Sequence, residues 1–193
     1  MSTISEQAVR EMIERVIELS RSYSVWWTLV NRENFEKYSQ AIEDHKDYFE
    51  TTSHSLFQGF SVITYQLFET RSDTINIPSL VKELAPSNPS LSSALSASVN
   101  AMRPLLGKAF AIRNNVYGHR TKKQPPEDVF AAAGITSDEM RTIVLLAQDL
   151  VSTLGEIAGV ETKNELLEEI KNREDYAAED TRLILEALSA RSL

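Results

Sequence analysis

Arginine, asparagine and histidine come together once in this sequence, in the run Arg113-Asn114-Asn115-Val116-Tyr117-Gly118-His119. A guanidinium is permanently charged and an imidazole trades protons near pH 7, so the two held at one place make a site for a phosphate whose bonds are changing. On an unbroken α-helix six residues put those two side chains roughly 120° apart, so the chain has to bend between them. Gly118 is where the helix can stop: a left-handed conformation costs it nothing, and His119 can then turn back beside the last turn carrying Arg113 and Asn114. The negative end of the helix dipole favours a protonated imidazole at that place. The plainer reading is that Arg113 caps a helix end and His119 is a satisfied loop histidine.

The remaining chemistry-bearing residues are few. His45 and His54 lie among Asp44, Asp47 and Glu50. Glu50 and His54, four apart, share a helix face that could seat a metal with two further ligands, but such pairs are ordinary on helix surfaces. Cysteine is absent, which removes disulfide frameworks and thiolate metal sites, and nothing points to secretion. No Ser or Cys sits in a nucleophile elbow and no glycine-rich loop cradles phosphate. Neither a metal nor a cofactor is expected.

Charge narrows the field further. The chain of 193 residues carries a formal −8, which argues against a protein that coats nucleic acid without discrimination. From Leu84 to Pro126, however, there is no Asp or Glu, while Arg103, Lys108, Arg113, Arg120, Lys122 and Lys123 give that segment +6 and leave −14 for everything else. A buried helix that merely lacks acids would explain its Ser/Ala-rich first half. Six cations between 103 and 123 fit a segment that faces phosphate better.

The elements that must hold this segment are all helical. Val9, Met12, Ile13, Val16 and Ile17, then Val25, Trp26, Leu29 and Val30, form one apolar stripe over 5–30, with Ser5 as N-cap. Glu33 to Asp44 reads as a second helix. Tyr48 to Thr70 reads as a central one, in which Gly59 marks close packing by a neighbour. Ser79–Leu84 is short. A long pattern from Leu91 to Tyr117 contains Pro104, which demands a bend or two abutting helices. After a loop over 121–126 and a turn or two before Gly134, the Thr136/Glu139 capping box opens the cleanest amphipathic helix, reaching Ile157, with Gly155 and Gly159 weakening its end. Two charged helices near 162–172 and 178–190 complete an all-α chain. Its organisation is expected to be a helical bundle over 1–160 and a C-terminal helical appendage over 161–193. With no secretory leader, and no apolar run near the ~20 residues that span a bilayer, no membrane partner and a cytoplasmic address are expected.

The helix-end segment resembles the signature of the HEPN superfamily, in which Arg, a polar residue and three to five more precede His at a helix end. The form Arg113-Asn114-Asn115-x-x-Gly118-His119-Arg120 is most similar to the AbiU-type abortive-infection branch, where Arg-Asn-Lys-x-x-Ala-His is common. The aromatic-rich helix from Tyr48-Phe49 to Leu67-Phe68 is placed as in that branch, and the likeness covers about residues 25 to 155. The resemblance implies a HEPN-like bundle that cleaves RNA without metal. His119 would act as general base or acid, Arg113 would stabilise the charge on phosphorus, and Asn114 would orient phosphate or imidazole. Arg120, Lys122 and Lys123 would line a groove for the RNA backbone, and Tyr117 would stack or hydrogen-bond there. One histidine per motif supplies an acid or a base but not both, so the resemblance also implies an isologous homodimer in which two motifs face each other. It further implies a toxin or anti-phage role, with a cognate antitoxin as a partner to seek. Two rivals stay open: a non-catalytic RNA- or nucleotide-binding or dimerisation module, and a helical adaptor whose C-terminal helices hold a partner.

Overall fold

The computed structural model describes residues 4–118 and 125–191, and every described element is a helix. In chain order they are α1 (Glu6–Val30), α2 (Arg32–Lys37), α3 (Ser39–Asp44), α4 (Lys46–Phe68), α5 (Ile77–Glu83), α6 (Pro89–Ala101), α7 (Arg103–Ile112), a π-helical turn π1 (Arg113–Gly118), α8 (Pro126–Ala133), α9 (Ser137–Ala158) and α10 (Lys163–Ser189). The chain is an all-α bundle, as its periodicity predicts. Helix α1 is the central element: its stripe, Val9, Met12, Ile13 and Val16, is buried against α4, α9 and α10.

Most helix starts follow from local chemistry. Ser5 accepts from the Ala8 N–H at the head of α1. Thr136 with Glu139 and Thr162 with Glu165 form capping boxes at α9 and α10, and Asn76 with Ser79 does the same at α5. The long pattern with Pro104 resolves into two abutting helices, the proline sitting in the first turn of α7, where its missing N–H costs nothing. Helix α8 ends at Gly134, whose φ of 53° is the left-handed cap a side chain would resist.

Three expectations need correction. The Glu33–Asp44 helix is two short ones broken at Tyr38, whose ring turns into a second apolar cluster with Leu29, Phe49 and Leu185 and whose hydroxyl lies 3.1 Å from Glu186. Burial of that ring outweighs helix continuity. Gly59 packs against nothing, since a Cβ there would meet no atom within 4 Å. The close approach is at Gly155 instead, where a Cβ would run into the Leu166 side chain. Finally, 162–172 and 178–190 are one continuous helix, α10. Leu166 and Ile170 of that helix belong to the main core and Leu185 to the second cluster.

Candidate functional site

Helix α7 delivers the Arg113 segment. Its inner face is fixed by Leu106, Ala109 and the fully buried Ile112. Its outer face is tied down by Lys108, which reaches Glu139 at 2.5 Å and the Gly134 carbonyl at 3.3 Å. The hydrogen bond from Lys108, together with those from the Thr136 cap, holds the Glu139 carboxyl below its usual range. Lys108 is thus engaged in positioning α7, and Arg103 donates to Asn100 at 2.7 Å. Lys108 and Arg103 of the basic segment therefore both serve contacts within the chain.

The α-helical ladder ends at Ile112, earlier than a simple reading of the pattern predicts. Residues Arg113–Gly118 continue as a wider π turn, a form that collects at functional sites. The local cause is Asn115. Its side-chain amide donates at 2.9 Å to the Ala111 carbonyl, the acceptor its own backbone N–H would use in an α-ladder.

On this turn Arg113 is half-buried, with its guanidinium carbon 4.3 Å from the centre of the Tyr65 ring. Tyr65 is itself held edge-on by Phe110 at 5.1 Å. Arg113 donates to the Asn114 side-chain oxygen at 3.0 Å, and Asn114 is exposed beside it. Among the described residues no carboxylate pairs with Arg113. A cation laid on a ring face keeps its N–H fork available, and its charge is not cancelled.

Tyr117, four residues on, has different surroundings. It meets His54 of α4 edge-on at 5.7 Å and Phe130 of α8 at 6.4 Å. Its hydroxyl is buried without a hydrogen-bond partner among the described residues, and burial pushes its pKa up. It forms part of the wall of a cleft of about 720 Å³ between α1, α4 and α8. His54 is an aromatic neighbour of Tyr117 here, and among the described residues no group of three or more ligating side chains gathers around it. The structure therefore brings Arg113 and Asn114 together and sets Tyr117 against the cleft. His119, Arg120, Lys122 and Lys123 lie outside the described residues. The cleft itself was not legible in the sequence, because Trp26 and Phe57 fall at helical spacing and read as core.

The fold and the site together are an all-helical bundle with an Arg-Asn pair presented on a distorted helix end. The model of the HEPN-type AbiU2 family matches residues 5–178, so the chain belongs to that family. The match extends beyond the 25–155 stretch on both sides, taking in α1 and the first half of α10. No curated protein and no solved structure matches the chain. Among the described residues no helix is long and apolar enough to cross a membrane.

Proposed function

We propose that this AbiU2-family chain is a metal-independent endoribonuclease of toxin or abortive-infection type, with Arg113, Asn114 and His119 as its working residues. The observation that supports this best is the Arg113–Asn114 pair. A guanidinium rests on a ring face with no carboxylate partner among the described residues, six positions before the only histidine that follows it in the chain. In the proposed reaction the ribose 2′-oxygen attacks phosphorus in line, its proton passes to an imidazole, and the 5′-oxygen leaves with a proton from an acid. The products are a 2′,3′-cyclic phosphate and a free 5′-hydroxyl. Arg113 carries the charge that builds on the non-bridging oxygens, and Asn114 orients the phosphate. A homodimer with two facing motifs supplies base and acid from two copies of His119. Arg120, Lys122 and Lys123 hold the RNA backbone.

Purified His119→Ala protein is expected to cut single-stranded RNA about 10²–10⁴-fold more slowly than the parent, the usual worth of a proton-transfer group. A variant that cuts at the parental rate defeats the assignment. Toxicity on expression in bacteria, relieved by Arg113→Ala, would support the toxin role and give a background for finding a cognate antitoxin. The cleft beside Tyr117 favours one second reading, a module that binds RNA without turnover. RNA retained by the parent with no cyclic-phosphate product would establish it.

A further inference from the structure

We infer that the cleft walled by Tyr117 takes one unpaired nucleobase from the RNA strand whose phosphate faces Arg113. This rests on the reading of the Arg113 turn as an RNA site. The lining explains the choice of ligand. Trp26, Phe57, Phe130 and Tyr117 follow one another ring against ring, with centroids 6.0, 5.8 and 6.4 Å apart. Ring surfaces of this kind hold any base through its π-face. The volume of about 720 Å³ lies within the span of small-ligand sites and leaves room for a sugar.

Polar groups settle which part of a nucleotide enters. Glu43 and Glu50 line the cleft, and among the described lining residues only Lys46 offsets them, its amine 4.0 Å from Glu50. Two carboxylates repel a phosphate but accept readily from the N–H groups on a base edge. It is the Tyr117 side chain as part of the wall, and not its buried hydroxyl, that the cleft offers a base. The positive group lies elsewhere: Arg113 rests on Tyr65 while Tyr117 meets His54, eleven residues earlier on α4 and so about 16 Å along its axis, a separation that two or three nucleotides of one strand bridge. Base inside and phosphate outside is the arrangement these charges permit.

The test uses an RNA heptamer made uncleavable by 2′-O-methylation, with a single 2-aminopurine at its centre, titrated with the full-length parent. Quenching of the 2-aminopurine is expected. Replacing that base with an abasic nucleotide is expected to weaken binding to the parent by about fivefold to a hundredfold, the range that base stacking on aromatic side chains commands. Ser53→Phe, which fills the cleft from α4, is expected to abolish the quenching. Phe35→Ala, at a lining position 52% exposed where truncation uncovers little core, is expected to reduce it. Equal affinity for the intact and abasic heptamers overturns the inference. So does a Ser53→Phe protein that changes oligomeric state, since the cleft is then a seam between copies. A parent that cuts RNA yet ignores the missing base leaves the nuclease standing without this cleft. A parent that cuts nothing but needs the base leaves the cleft standing without the nuclease, and one that binds neither heptamer removes both.

Discussion

Around Glu174, where α1, α9 and α10 meet, a cluster of buried polar groups is answered by its own members. Glu174, 8% exposed, accepts from Gln148 at 3.1 Å and pairs with Arg141, while the Ser24 hydroxyl donates to the Glu174 backbone carbonyl at 3.2 Å. Gln148 spends its second amide hydrogen on Ser20 at 3.0 Å, and Ser20 donates in turn to the Val16 carbonyl. On the opposite side, where α4, α7 and π1 meet, the accounting stays open. The helix widens, a guanidinium lies on a ring, and a phenol hydroxyl is left without a partner among the described residues. Closed networks fix one geometry, whereas unfilled bonding capacity is retained where something else has to bind. The chain keeps its rigidity on one side and its reactive potential on the other.

Substitutions can break or sharpen that contrast. The largest stability effect is expected at Glu174→Ala, which strands Gln148 inside the bundle and unpairs Arg141. A loss of about 2–4 kcal/mol in urea unfolding fits a buried, charge-assisted network, and a loss near zero would mean the network holds nothing. Gly155→Ala pushes a methyl into Leu166 and is expected to cost about 1–3 kcal/mol by the same measurement, since the contact joins α9 to α10 within the core. The smallest change is expected at Tyr117→Phe. Removing a hydroxyl that makes no bond should leave the unfolding free energy within about 1 kcal/mol of the parent, or raise it. A clear fall would show that Tyr117 belongs with the closed side.

The contrast also explains what was legible in the sequence. Helices that start with Ser5, Asn76, Thr136 or Thr162 announce themselves, because the capping group and the donor it satisfies lie within one turn. The break at Pro104 and the stop at Gly134 are local for the same reason. The split at Tyr38 was not readable, because it depends on Glu186 and Leu185 nearly 150 residues away. Nor was the single course of α10, whose charged middle hides the fact that Glu174 faces inward. At the site, spacing alone singled out Arg113-Asn114 and predicted a helix that stops at Gly118. The π turn that begins at Arg113 was not readable, since it depends on whether Asn115 bonds to solvent or back to Ala111. The aromatic cleft was invisible, because periodicity tells which face of a helix is apolar but not whether a neighbour fills the space beside it.

Helix α1 has one further consequence, for how the chain comes off the ribosome. Its partners arrive late: Ser20 waits 128 residues for Gln148, and Ser24 waits 150 for Glu174. The α1 stripe is therefore synthesised well before the helices that complete its cover, and a nascent chain displays it in the interval. Exposure of that kind is what general chaperones recognise, so the yield of folded protein in the cell depends on how quickly α9 and α10 emerge.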